Sequence, residues 1–488
     1  MKNNPLNFRA YALLALLTAS AWLLWTWGGH WGQINLPEAQ DSDGLSGFTE
    51  VRIRIPKKGM WRLRLAREIA LEKGVLLDMD NPWIGAKVMD GSKEIPAKIR
   101  LKGDWTDHLR ENKWSFRVEI KDTASAFGLQ VFNLQHPKSR EYLDEWLFHE
   151  VLRLEDLLTT RYDFVRLYIN GSNLGIYALE EHFADQLVQS NRRIHGPLFK
   201  FQEEGMWEAR VKALQDSFFP YMDLPLYPSA HVEAFGFKKG VQDSIWNRQH
   251  RNGQILMTRY KEGKASAGQL FDVSRLAAAY ALMDVFGAYH GLIWHNRRYY
   301  FNPAIQKLEM VVYDAYSGMP ETDVEAPFLG YARNSNTQIQ NVPGSDLDSY
   351  LFRDEGFLRA YYAFLWKFSD PAQLQNWGCS LASEVQKRED YLRQEFWSYR
   401  FDWKRFANRA SRIRRVLTDS QLGELMVETI EEDLGARDYR IRNRSPLAYD
   451  VEGYILQAYD GVNAPDSLEL RLEKAPQIKV LGRSDSNK

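Results

Sequence analysis

The sequence predicts an α+β fold behind an N-terminal membrane span, with a small β module at the C-terminus. Three observations predict it. Segments with period-2 alternation, the mark of half-buried strands, cluster between residues 51 and 201. After about residue 348, apolar positions three and four apart dominate, the mark of helices packed through one face. Ahead of both, a run from Ala10 to Gly29 carries no charge. With 488 residues the chain can hold two or three domains and a sizeable core.

The N-terminal run sets the topology. Its core, Ala10 to Trp27, is long enough to cross a bilayer with little tilt. Trp22, Trp25, Trp27 and Trp31 crowd its far end, as an interfacial aromatic belt does. Lys2 and Arg9 stand on the near side; Glu38, Asp41 and Asp43 follow on the far side. The positive-inside rule keeps residues 1–9 cytoplasmic and sends the body across the inner membrane to the periplasmic, extracytoplasmic side. A cleaved signal peptide is the competing reading, and Gly28-Gly29-His30-Trp31 lacks a small-x-small cleavage site. No second run matches it, so residues 10–29 are a single-pass anchor and residues 30–50 a polar linker. A balance of 63 basic against 64 acidic residues argues against nucleic acid as a partner. The lone Cys379 excludes an intrachain disulfide.

Val51–Ile55 alternates as a strand, and a helix follows over residues 61–73. Basic residues alternate along Lys98-Ile99-Arg100-Leu101-Lys102 into a Gly103-Asp104 turn. Lys113 to Ile120 alternates strictly, with Trp114, Phe116, Val118 and Ile120 on one face. Two basic strands joined by a polar loop can present cations to an anionic ligand; a solvated sheet face gives the same pattern. Asp104, Asp107 and His108 in that loop suit a metal or ordinary turn chemistry. A helix is expected over 139–156, capped by Ser139, with a glutamate placed to pair a sheet lysine. Asn170-Gly171 joins two strands, 164–169 and 175–179, in the strongest short hairpin signal. Glu180-Glu181-His182-Phe183 then suits a hinge between two lobes. Residues 196–201 resume a strand; 204–272 read as an insert. Leu381 through Leu417 carries a heptad-like stripe on one long helix. From Tyr439 alternation returns, giving the β module assigned to residues 435–488, after a main domain over 51–420.

The stretch Ser274–Gly318 organises the rest. It reads as a helix capped by Ser274, a polar loop ending at Asn296, a strand through Tyr299-Tyr300-Phe301, a turn, and a strand ending Val312-Tyr313-Asp314. A loop asparagine followed by a hairpin that delivers an aspartate is how kinase-type sites hold a metal–phosphate complex. A surface hairpin with a solvated aspartate has the same local pattern.

Taken with the pieces upstream, the chain resembles the spore-coat H (CotH) kinase family. The matching segments, in family order, are Arg100–Asp104 with Lys113–Arg117, Asn170-Gly171 through Glu181, Gly196–Lys200, and Asn296 through Tyr299-Tyr300 to Asp314. The resemblance implies an atypical two-lobed protein-kinase-like fold. It also implies ATP with Mg²⁺ or Mn²⁺ as cofactors and phosphorylation of Ser or Thr in a protein partner. Under it, Asp314 and Asn296 are metal ligands. Lys102, Lys113, Glu180, Glu181 and Lys200 lie at the nucleotide. Where the family usually has an aspartate before the asparagine, this chain reads Ala288-Tyr289-His290-Gly291, so His290 takes the catalytic base role beside Asn296 and Asp314. The alternative is a kinase-fold scaffold or binding protein of the cell envelope without catalysis.

Overall fold

The computed structural model describes residues 48–110, 112–121, 124–215, 227–236, 243–317, 327–330, 346–349, 351–418, 425–433, 436–443, 449–451 and 478–480. Among them no helix is long and apolar enough to cross a membrane; the span expected over 10–29 lies outside the described residues.

Seven strands close into a barrel. They are β1 (Glu50–Arg54), β2 (Ile84–Asp90), β3 (Lys93–Leu101), β4 (Phe116–Ile120), β5 (Val131–Gln135), β6 (Tyr162–Ile169) and β7 (Ser172–Glu181). Their order is β1-β2-β3-β4-β5-β7-β6, and β1 closes the ring by pairing β6 in parallel. Alternation does the work: β4 is buried at Phe116, Val118 and Ile120, which join Val51, Ile99, Leu134 and Leu167 in one core. The β6–β7 turn is the Asn170-Gly171 pair, both at positive φ (52° and 86°), as a two-residue primed turn requires. Helix α1 (Lys57–Lys73) packs on β2 and β3.

The chain leaves the barrel at Glu181, and residues 182–184 lead into α3 (Asp185–Ser190) and β8 (Leu198–Phe201). This is the predicted hinge position. A second sheet follows in the order β11-β10-β8-β9, with β9 (Val232–Ala234), β10 (Arg298–Asn302) and β11 (Lys307–Val311). Residues 204–272 are less detached than an insert. They provide α4 (Glu204–Gln215), edge strand β9, and α5 (Ser244–Lys261), which crosses the sheet at Gly253, where a Cβ would strike the Phe199 ring.

Helix α2 (Leu143–Leu154) starts later than expected. Pro137 fixes a 3₁₀ turn over Pro137–Arg140, and Glu141 and Tyr142 then take positive φ. Ser139 lies inside that turn, its hydroxyl donating to the His136 carbonyl at 2.8 Å, and does not cap the helix. Helix α6 (Val273–Phe286) is capped by Asp272, not Ser274: the Asp272 carboxylate accepts from Arg275 N at 3.2 Å. From Leu276 to Phe286 it is buried on every side rather than along one stripe.

The single long helix expected over 381–417 is two, α8 (Pro371–Arg393) and α9 (Lys404–Thr418), after α7 (Glu355–Phe368). Residues of the break continue the apolar stripe: Phe396 packs edge-on and Tyr399 tilted against Tyr142, with ring centroids 5.1 and 4.6 Å away. The stripe is core packing and not a coiled-coil seam. The C-terminal strands begin earlier than expected: β12 (Leu425–Asp433) pairs β13 (Ala436–Asn443), and β14 (Tyr449–Val451) pairs β15 (Ile478–Val480). The alternation around Tyr454 and Leu468 lies outside the described residues.

Asp284, in the last turn of α6, is fully buried. Its carboxylate accepts from Tyr289 Oη (2.7 Å), Leu329 N (2.8 Å) and Tyr361 Oη. Burial nevertheless outweighs these donors and pushes its carboxyl up to about 6 from 3.8. Between about pH 4 and 6 the folded chain therefore holds a proton that the unfolded chain has released, so this group's share of stability falls as pH rises through that window. Asp284→Asn is expected to flatten the pH dependence of the urea midpoint there; an unchanged slope would show that another group sets it.

Candidate functional site

Where the barrel rim faces the second sheet lies a cavity of about 690 Å³. The barrel contributes Lys102 just past β3, Arg117 from β4, Asn133 from β5 and Glu180 from β7. Lys102 is held by its backbone, with its N–H donating to Ser115 O at 2.9 Å. Its ammonium donates to Gln135 Oε1 and lies 3.8 Å from Glu180. Burial lowers its pKa despite Glu180. Glu180 accepts from Asn133 Nδ2 at 3.0 Å, and Asn133 Oδ1 accepts from Arg117 Nε at 2.9 Å. Burial, with Arg100 nearby, brings Arg117 down to about 10.

The opposite wall is built on Asp314. After β11, Val312 N donates to Leu158 O at 2.8 Å, and the chain turns at Asp314 with φ of 55°. Glu145 of α2 holds that turn. Its carboxylate accepts from Ala315 N at 3.0 Å and from Tyr316 N at 3.1 Å, inside a fully buried setting. The predicted glutamate–lysine pair between α2 and the sheet is therefore not made, because this carboxylate is committed to backbone N–H groups.

Asp314 is itself paired twice: the Arg140 guanidinium forms an ion pair at Oδ1, and His290 Nε2 stands 3.4 Å from Oδ2. Burial opposes its charge, but Arg140, His290 and Lys102 outweigh that and hold its carboxyl well below the usual range. Asn296 Nδ2 donates to His290 O at 3.3 Å. The loop bearing His290 lies tight against the strand end: His290 N donates to Ala315 O at 3.0 Å, and a Cβ on Gly291 would come within 2.6 Å of Tyr313 O. The loop therefore has no room for a side chain at 291.

At the hinge end the cavity is aromatic. Phe183 stands 4.7 Å from Tyr313 and 4.9 Å from Phe235 between ring centroids, and Arg298 lies over all three rings. Near the mouth, burial and Glu203 raise Asp104 to about 7, although its side chain meets the cavity's open space. Burial also holds His108 well below 6.5, and its Nδ1 lies 3.1 Å from Ser115 Oγ.

The matching family is described as CotH kinase protein, over residues 99–416, well over half of the sequence. The chain belongs to the CotH kinase protein family. A comparison with curated proteins found no match.

Most of the residues expected from the sequence meet in this CotH cavity: His290, Asn296, Asp314, Lys102, Glu180 and Lys200 all line it. Two do not. Lys113 reaches away, to Glu395 at 2.8 Å and the carbonyls of Leu174 and Ile176, with the Tyr177 ring beneath it. It precedes β4, so that strand's alternation does not aim it. Glu181 follows Glu180 on one strand, and the period of two sends it to the other face, where Arg161 binds it at 2.7 Å. Arg140, Glu145 and Phe183 were not foreseen in these roles; nothing local in the sequence marks Arg140.

The Mg²⁺ implied at Asn296 and Asp314 does not fit the donors present. An arginine and a histidine occupy the two Asp314 oxygens, and Asn296 turns its amide nitrogen to the His290 carbonyl. Among the described residues no group of three or more His, Cys, Asp or Glu is arranged to hold a metal, at Asp314 or in the Asp104–His108 loop.

Glu145→Gln would face amide donors toward backbone donors. It should cost about 1–3 kcal/mol, the penalty of leaving buried partners unsatisfied, read as a lower urea midpoint. An unchanged midpoint would mean that the Asp314 turn is held by something else.

Proposed function

We propose that this CotH-family chain is a membrane-anchored kinase-like protein that binds ATP in the cavity and phosphorylates a Ser or Thr hydroxyl of a protein partner. The observation that carries the proposal is the meeting of Lys102, Arg140 and the His290–Asp314 pair in one cavity with an aromatic end. The adenine packs against Phe183 and Phe235. The triphosphate extends toward Lys102 and Arg140, whose charges offset the negative charge of the transferring group.

Asp314 gives His290 its role. A carboxylate facing Nε2 favours the tautomer with its proton there, which leaves the Nδ1 lone pair to accept a proton. The substrate hydroxyl oxygen attacks the γ-phosphorus, the bond to the β-bridging oxygen breaks, ADP departs with that electron pair, and the hydroxyl proton passes to Nδ1. Positioning and electrostatics supply most of the rate.

Calorimetric titration of the full chain with ATP tests binding: Lys102→Ala should weaken it, and no heat with wild type would end the proposal. Transfer of labelled phosphate should fall by about 10²–10⁴ in His290→Gln, the size of a general-base contribution. The second reading, an envelope scaffold that binds without transfer, is favoured by the lack of a carboxylate in the Ala288-Tyr289-His290-Gly291 loop. Binding by the wild type without labelled product would establish it.

The anchor over 10–29 places the cavity on the extracytoplasmic side of the inner membrane by the positive-inside rule. Alkaline phosphatase fused after residue 50 should be active; an inactive fusion with an active cytoplasmic reporter at the same point would reverse this topology.

A further inference from the structure

Asp314 occupies the metal-ligand position of a kinase-type site, yet its cation is a side chain. Arg140 is 5 % exposed and fixed at both ends of its guanidinium, by Asp314 Oδ1 and by the Ser139 carbonyl at 2.7 Å. Its backbone is fixed too, in the 3₁₀ turn that Pro137 imposes between β5 and α2. Of the nearby carboxylates, Glu145 is committed to backbone N–H groups, and Glu180 gives Oε2 to Asn133 and Lys102 while its buried Oε1 has no hydrogen-bond partner among the described residues. A divalent ion would have to displace a buried arginine from a buried aspartate, leaving the arginine charge unpaired.

A second observation points to the ligand. Of the guanidinium groups that line the cavity, those of Arg100, Arg140 and Arg298 each have a buried Nε–H with no hydrogen-bond partner among the described residues. Buried donors without partners are rare in folded proteins and ask for acceptor oxygens. Phosphate oxygens meet guanidinium donors in charge-assisted, often bidentate bonds.

We propose that Arg140 is the resident cation of the site and that it binds the phosphates of the nucleotide directly, with Lys102, without a divalent ion. This rests on the reading of the cavity as a nucleotide site. Asp314 then serves to hold Arg140 and His290 in place, and a phosphate chain competes with it for the guanidinium.

The test compares calorimetric titrations of the full chain with ATP in EDTA and in excess Mg²⁺ or Mn²⁺. The expected affinities agree within about threefold, and Mn²⁺ alone gives no binding signal in electron paramagnetic resonance. Arg140→Gln should weaken metal-free binding by roughly tenfold or more, the worth of a charge-assisted bond. Asp314→Asn, which frees the guanidinium, should tighten it. ATP binding that requires Mg²⁺ or Mn²⁺, or that Asp314→Asn abolishes in EDTA while the thermal melt stays cooperative, overturns the inference. ATP binding in neither buffer overturns the nucleotide-site reading itself.

Discussion

The carboxylate of Glu145 is the constraint on which the site depends. It lies on α2, within the helix-rich core, and takes both N–H groups that follow Asp314. The same carboxylate is 3.0 Å from His149 Nε2; His149 meets Thr159, and Thr159 Oγ1 donates to the Val312 carbonyl at 2.7 Å. One buried chain of polar groups therefore fixes the strand on both sides of Asp314. A left-handed backbone at a non-glycine residue is costly unless its surroundings over-determine it, and here they do. Loosening that turn would move Asp314 off both Arg140 and His290.

The two halves meet this constraint from different directions. The barrel closes on its own apolar core, and its rim residues Lys102, Asn133 and Glu180 are organised by hydrogen bonds among strands β3, β5 and β7. The second sheet and the helices behind it set the His290 loop and the Asp314 turn. Neither half holds the cation and the anion pair alone.

The sequence revealed the parts that rest on local rules. Alternation showed β4, the Asn170-Gly171 pair showed the hairpin, and the loop-strand-turn-strand order brought His290, Asn296 and Asp314 to one place. What stayed hidden depends on long-range partners. The direction of Lys113 is set by Glu395, far along the chain, and the role of Arg140 by Asp314. A period of two sends Glu180 and Glu181 to opposite faces of β7, so only one of them reaches the cavity. Proline chemistry at Pro137 moved the start of α2, and Phe396 and Tyr399 disguised a helix break as a continuing stripe because both lie in the same core.

Glu395, between α8 and α9, does more than hold Lys113. It also accepts the N–H of Ile176 and sits over Gly175, where a side chain would collide with it. The barrel is therefore fastened to the helical half at several separated places: the covalent strap at residues 182–184, the chain passages on either side of α2, the Arg388–Asp163 ion pair and this noncovalent rivet. A jaw fixed at one end swings, while one fixed at several points can only twist or flex. Motion in such a frame is confined to small torsions, with little of the wide clamshell breathing that a single pivot allows.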